Sequence, residues 1–211
     1  MGSIYQRIAG SSLERIAALS DGVFAIAMTL LVLELKVPAH ASVHGEMDLL
    51  RTLGEAGPHF ATYVMSFLTL AIFWSGQQAQ LNSLARSDRP YSMIQLAFLA
   101  AVAILPFSTS LLGEYITLRT ALVIYWLNIA LMGAPLYAGW KYAARTTLVK
   151  DDLPPEMAQA VERRVIRAQS LYLIGAALCI ISTYLSIAAI VIVQLLYAIG
   201  PRSRFVHQLI R

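Results

Sequence analysis

Charged residues are scarce in this chain. Asp, Glu, Lys and Arg together make up 13% of its 211 residues, about half the share found in soluble globular domains. Hydrophobic residues make up 58%. This balance excludes an ordinary soluble domain and predicts a membrane protein that crosses the bilayer several times.

Cysteine is almost absent as well, since Cys179 is the only one. A single cysteine excludes an intramolecular disulfide and a metal site built from several cysteines. The sequence also lacks the G-x-x-x-x-G-K phosphate loop, the H-E-x-x-H zinc motif and the G-x-S-x-G nucleophile motif. We therefore expect no enzyme activity, no cofactor and no metal ligands.

The hydrophobic residues fall into runs long enough to be predicted as six transmembrane helices. These cover residues 13–37, 59–81, 91–112, 117–142, 166–182 and 185–200. The last two come from one apolar run that is too long for a single span of about 20 residues, and the polar residues 182–184 mark its division. Residues 143–165 form the only long hydrophilic segment and are predicted to be a cytoplasmic loop. Within it, Pro155 followed by Glu156 is predicted to begin a new amphipathic helix. The predicted fold class is all-α, with residues 1–211 as a single transmembrane domain.

Positive charge is distributed unequally between the two sides that this topology defines. Of the 16 Lys and Arg residues, only Lys36, Arg51 and Arg119 lie on the side opposite the termini. Because cytoplasmic loops carry the excess of Lys and Arg, both termini are predicted to be cytoplasmic and the protein to lie in the inner, or cell, membrane. The same distribution explains the basic net charge without a nucleic-acid partner, and we expect none.

The first apolar segment carries polar residues that a simple membrane anchor does not need. It includes Arg15, Ser20 and Asp21, and ionisable residues inside a membrane are functional candidates unless they are paired. The segment is too long and too charged for a signal-peptide core, so we expect it to be retained.

Three bulky residues of this segment, Ile26, Leu30 and Leu33, recur at helical spacing and therefore share one face, which Thr29 borders. Such a stripe either packs against protein or lipid or lines a pathway, and spacing alone does not separate these interpretations.

The same segment resembles the signature of the transmembrane protein 175 family of potassium channels, whose first helix carries an R-x-x-x-F-S-D motif. Arg15, Ser20 and Asp21 stand at the matching positions, and Leu19 replaces the phenylalanine. Two further stretches support the resemblance, I-F-W at 72–74 and L-P-F-S-T-S-L-L-G-E-Y at 105–115. The resemblance covers the first three predicted helices well and the last three by hydropathy only.

This resemblance implies a six-helix subunit of a homotetramer that conducts potassium ions. The first helices of four subunits would line a central pore. By position, Ile26, Leu30 and Leu33 would form a hydrophobic constriction in place of a carbonyl filter, with a weak preference for potassium over sodium. Thr29 would match a threonine layer implicated in selectivity. The motif residues would hold the first helix against the second and third.

The chain departs from the family pattern beside Trp74, which belongs to the expected interhelical network. Family members usually place a histidine shortly after this tryptophan, whereas Gln77 and Gln78 follow it here, and Gln95 stands where the third helix has an amide. Glutamine can form hydrogen bonds but does not titrate near neutral pH. We therefore expect little histidine-type pH gating from this network.

Two other interpretations remain open from the residues. A secondary transporter would use the intramembrane Asp21 together with helices interrupted at Pro106 and Pro135. A non-conducting membrane scaffold would use the Ile-Leu-Leu stripe for packing alone.

Overall fold

The computed structural model describes residues 12–38 and 44–199. The described chain is helical, with one isolated β-bridge between Leu84 and Val149. The helices are α1 Leu13–Val32, α2 Glu46–Glu55, α3 Gly57–Asn82, α4 Arg89–Glu114, α5 Arg119–Arg145, α6 Pro155–Ala177 and α7 Thr183–Ile199, with a 3₁₀ turn at Leu178–Ile180 between the last two.

Helix α1 ends at Val32, so the predicted end at residue 37 is wrong. Leu33 caps the helix, and the next two N–H groups bond only three residues back, from Glu34 to Leu31 and from Leu35 to Val32. Pro38 disfavours helix at the residue before it. The chain therefore leaves the helical path about one turn earlier than hydropathy indicates.

Helix α6 begins at Pro155, which confirms the amphipathic helix predicted to begin at Pro155 and Glu156. The loop is therefore shorter than the predicted 143–165, and the helix begins before the predicted span at 166. Proline is favoured in the first turn of a helix, and the polar residues after it form helix as readily as apolar ones. A hydrogen bond from Arg163 to Gln159, one turn away, follows this helical path. Hydropathy locates the point where α6 becomes apolar, around residue 166, and not the point where it begins.

The remaining bounds differ from the prediction by one to five residues. Helices α3 and α4 extend beyond the predicted 59–81 and 91–112 at both ends, and α5 is shifted from 117–142 to 119–145. Helix α6 ends at Ala177 instead of 182, and α7 begins at Thr183 instead of 185. The predicted end at 200 lies outside the described residues. Helix α4 continues through Pro106 and α5 through Pro135.

Three described helices, α1, α4 and α5, are long and apolar enough to cross a membrane. Helices α2 and α3, which are bent by 48° relative to each other, provide a fourth span if they are counted together. Helix α7 is a shorter apolar helix. These lengths and compositions identify a multi-pass membrane protein.

Helix α1 packs against α3 and α4, and the α6–α7 pair packs against α5 and α3. Aromatic side chains fill the junction of the first three long helices. The ring of Phe98 in α4 lies 5.9 Å from that of Phe24 in α1 and 6.3 Å from that of Phe73 in α3. This core fixes which face of α1 remains uncovered.

Candidate functional site

Helix α1 has one buried face and one open face. Its buried residues are Ser20, Phe24, Ala27 and Leu31. On the open face, Ile26 is 61% exposed, Leu30 42% and Leu33 69%. An exposed apolar stripe on a membrane helix must contact lipid, another chain or a pathway, and the contacts among the described residues leave it free for any of the three.

The open face changes in bulk along the helix. Toward the N-terminus it carries the small residues Gly22 and Ala25, and a Cβ added at Gly22 would meet nothing within 4 Å. Ile26, Leu30 and Leu33 then follow over about 10 Å at 1.5 Å per residue. Leu19, seven residues before Ile26 and 47% exposed, lies on the same face, so the small residues form a recess between bulky apolar ones.

Thr29 lies on the exposed side, close to this stripe. Its hydroxyl donates a 2.8 Å hydrogen bond to the carbonyl of Ile26. Because the proton is directed into the helix, the oxygen lone pairs remain available to accept a hydrogen bond or to contact a cation.

Asp21 links α1 to α3 through a single carboxylate oxygen. Its Oδ1 accepts a 2.8 Å hydrogen bond from Nε1 of Trp74 and a 2.9 Å hydrogen bond from Nε2 of Gln78. Hydrogen bonds to a carboxylate are among the stronger ones in proteins. The structure thus brings three of the predicted network residues together on the exposed side of the α1–α3 contact.

On the buried side of the same contact, Gln77 joins three helices. Its Nε2 donates to Oγ of Ser20 in α1 at 2.9 Å and to Oε1 of Gln95 in α4 at 2.8 Å. The Ser20 hydroxyl donates in turn to the carbonyl of Ile16 at 2.8 Å. All three side chains are buried, so this chain of hydrogen bonds fixes the position of α1 relative to α3 and α4.

Arg15 is the one motif residue that the structure does not connect to this network. Its side chain is exposed, and no described residue accepts a hydrogen bond from its guanidinium. Its backbone N–H is capped by the hydroxyl of Ser12 at 3.3 Å, which places Arg15 in the first turn of α1.

A second buried polar cluster was not predicted from the sequence. The phenol oxygen of Tyr125 in α5 accepts from Ser66 Oγ at 3.1 Å and lies 3.2 Å from Thr69 Oγ1. Thr109 of α4 donates to Ser66, and Gln194 of α7 donates to Thr69. The cluster joins four helices. The recurrence of polar residues at 62, 66 and 69 in α3 is the sequence signal that could have indicated it.

Together these features define a class of protein. It is an all-helical, multi-pass membrane protein whose first helix is held on one side by two polar networks, one buried and one exposed, and presents an apolar face that the described residues leave uncovered on the other. Within the described residues no group of His, Cys, Asp and Glu could hold a metal ion.

Comparison with known proteins identifies the family. A family model described as the endosomal/lysosomal potassium channel TMEM175 matches residues 15–106. A potassium channel of Streptomyces collinus is 34% identical over 190 residues, which cover 87% of this chain and 90% of that protein. A potassium channel of Chamaesiphon minutus is 33% identical over 196 residues, covering 90% and 95%.

A solved structure is similar over the same extent. The crystal structure of a lysosomal potassium-selective channel TMEM175 homolog from Chamaesiphon minutus aligns with a TM-score of 0.79 at 30% identity, covering 90% of this chain and 98% of that chain. This chain belongs to the TMEM175 family, as its first-helix motif predicts. Because the relatives match nearly the whole chain, the likeness extends well past the three helices that carry the motifs. The family is one of ion channels, not of enzymes.

Proposed function

We propose that this protein is a potassium-permeable cation channel, a homotetramer in which the open faces of four α1 helices line a central pore. The observation that carries the proposal is the exposure of Ile26, Leu30 and Leu33 opposite a fully packed face of the same helix. The relatives named as potassium channels support it, because they match this chain over most of its length. They do not favour the transporter alternative.

In this arrangement the three bulky residues form successive hydrophobic rings. A narrow apolar ring holds water poorly, and an ion crosses it only by losing part of its hydration shell. Potassium is less strongly hydrated than sodium, so a weak preference for potassium follows without a carbonyl filter. Thr29 supplies hydroxyl oxygens beside the constriction and is proposed as the selectivity layer.

The two polar networks have a structural role in this proposal. Asp21 with Trp74 and Gln78, and Ser20 with Gln77 and Gln95, hold α1 in register with α3 and α4, so the rings stay at one depth. Asp21, the ionisable residue of these networks, accepts two hydrogen bonds from α3, which fits a role in positioning α1 better than a role in ion coordination. Arg15 lies in the first turn of α1, near the proposed cytoplasmic entrance.

The proposed topology has six spans, with both termini in the cytoplasm. The membrane is proposed to be the inner, or cell, membrane. The distribution of Lys and Arg supports this orientation. The fifth and sixth spans would be the apolar part of α6 and α7, which form a hairpin around the 3₁₀ turn at Leu178–Ile180.

Potassium flux into liposomes tests the proposal. Purified wild-type protein is compared with Ile26→Asn and Leu30→Asn, with valinomycin setting the full capacity of the vesicles. We expect potassium flux that exceeds sodium flux in the wild type, and higher or less selective flux when a polar amide hydrates the constriction.

Val32→Asn is the matched control. Val32 is 47% exposed on the same helix, but it lies about 120° around the helix from Ile26. Val32→Asn should leave potassium flux unchanged, and the variant should elute as a tetramer at the same position as the wild type. Absence of wild-type flux, or equal effects of all three substitutions, would assign the stripe to packing.

A further inference from the structure

A cavity of about 250 Å³ lies between α3 and α6, bordered by α5 and α7, away from the open face of α1. Its apolar wall includes Ile72, Phe73, Leu136, Val161 and Val165. The cavity is partly open and smaller than the roughly 300–1,000 Å³ typical of pockets for small molecules. Its size and apolar wall suit a segment of one hydrocarbon chain.

Two buried polar side chains line this cavity, those of Gln80 and Tyr172, and the Tyr172 hydroxyl has no hydrogen-bond partner among the described residues. Gln80 is the one with a buried amide. It is 1% exposed, and neither its Oε1 nor its Nε2 has a hydrogen-bond partner among the described residues. An unpaired buried amide is costly, because it has lost water and gained nothing in exchange. A ligand with polar oxygens at this depth would satisfy the donor.

Arg164 lines the same cavity and is exposed. Within the part of the chain that the structure describes, no carboxylate pairs with it. The nearby Glu162 is instead bound to Lys141 at 2.8 Å. Arg163, its neighbour in sequence, donates to Gln159 and does not line the cavity. The cavity therefore combines an apolar wall, a buried amide and an unpaired cation.

The depth of these groups follows from the helix directions. Gln80 lies in the last turn of α3, and Arg164 lies in the N-terminal half of α6. Both therefore lie toward the side that carries the excess of Lys and Arg. In the proposed topology this is the cytoplasmic side, where anionic lipids attract basic residues near the membrane surface.

We propose that this cavity binds an anionic phospholipid of the cytoplasmic leaflet. The phosphate would contact Arg164, an ester carbonyl would accept a hydrogen bond from Nε2 of Gln80, and an acyl chain would lie along the apolar wall. The leaflet assignment rests on the proposed topology, whereas binding does not require that the protein conducts ions.

The test uses lipid-depleted full-length protein in mild detergent. Phosphatidylglycerol or phosphatidylcholine is added, and bound lipid is counted by native mass spectrometry alongside the melting temperature. We expect retention and a raised melting temperature with phosphatidylglycerol only. Arg164→Gln should weaken binding about tenfold, as expected for the loss of one charge-assisted hydrogen bond. Gln80→Met should also weaken it, and Arg164→Lys should retain it.

Arg163→Gln is the matched control, since it removes the same charge one residue away from the cavity. Equal binding of both lipids, or equal effects of the substitutions at 163 and 164, would overturn the proposal. Soluble glycerol phosphate is added in a separate arm, and binding of this head group without acyl chains would also overturn it. Ion flux is not read in this experiment, so failure of lipid binding is distinct from failure of the proposed channel function.

Discussion

The indole Nε1 of Trp74 donates a 2.8 Å hydrogen bond to Oδ1 of Asp21 and thereby ties α3 to the N-terminal half of α1. The same oxygen also accepts from Gln78 at 2.9 Å. Two donors from one turn of α3 thus hold the carboxylate from the same direction. Rotation of α1 about its axis would break both hydrogen bonds at once, so this contact sets the face that α1 presents.

Trp74→Phe should lower the free energy of unfolding by about 1 kcal/mol, because it removes one hydrogen bond to a carboxylate at a partly exposed site. The measurement is the thermal unfolding of purified protein in detergent. In the channel assay, looser attachment of α1 should also change potassium flux.

Trp126→Phe is the control for that substitution. The indole N–H of Trp126 is buried and has no partner among the described residues, so this change removes aromatic surface without breaking a hydrogen bond. Because Trp126 is more buried than Trp74, it reports the cost of lost packing alone. Unchanged stability of Trp74→Phe relative to the wild type would contradict the importance of the Asp21 contact.

Gln77 and Gln80 provide a second matched pair on α3. Gln77→Met removes hydrogen bonds to Ser20 and Gln95 and leaves a buried acceptor unpaired, so we expect a loss of about 1–3 kcal/mol in the free energy of unfolding. Gln80→Met replaces an amide that has no partner in the described chain and should be neutral or stabilising in lipid-depleted detergent. Both variants are measured by thermal unfolding. Similar losses of stability for the two would refute the view that the hydrogen bonds of Gln77 stabilise the fold and that the Gln80 amide does not.

Tyr125 and Tyr172 are both buried, but only the Tyr125 hydroxyl has hydrogen-bond partners among the described residues. Tyr125→Phe removes the oxygen that Ser66 and Thr69 share and should cost about 1 kcal/mol. The hydroxyl of Tyr172 has no hydrogen bond to a described residue, so Tyr172→Phe should have less effect. Chemical unfolding in mixed micelles checks the order, and the reverse order would show that the cluster is not stabilised through Tyr125.

The ion pair of Glu162, in the N-terminal half of α6, predicts that stability depends on pH. Its hydrogen bond with Lys141, followed by the charge of that ammonium, lowers the pKa of the Glu162 carboxyl from its ordinary value of 4.5. A lowered pKa in the folded state means that the stabilisation is complete above the ordinary value and is lost as the pH falls through the lowered one.

The difference in melting temperature between wild type and Glu162→Gln should therefore shrink as the pH is reduced from 7 to below 4. The pair is partly exposed, so the effect should be small and should weaken in high salt. In a Lys141→Met background Glu162→Gln should have little further effect. A difference that is constant across this pH range would rule out the ion pair as its source.

Much of the first helix could be predicted from sequence. The 26, 30, 33 spacing defines a face from helical geometry alone, and the motif residues identify the family. The end of α1 was wrong because hydropathy reports where apolar residues lie, whereas capping, turns and proline decide where helices end. The start of α6 at Pro155 was predicted from its proline, although hydropathy placed the apolar span only from residue 166. The Tyr125 cluster was missed because its members are far apart in the chain.

The sequence by itself determined the membrane class, the family and the existence of an apolar stripe, since composition and periodicity are local properties. Only the tertiary structure decided that this stripe is uncovered, that Asp21 pairs with Trp74 and Gln78, and that Arg15 stands apart. It alone showed that the Nε2 of Gln77 has two hydrogen-bond partners, whereas neither polar atom of the Gln80 side chain has one among the described residues. The physical reason is that a hydrogen bond between helices depends on their relative rotation and depth, which are set by the packing of all their neighbours together.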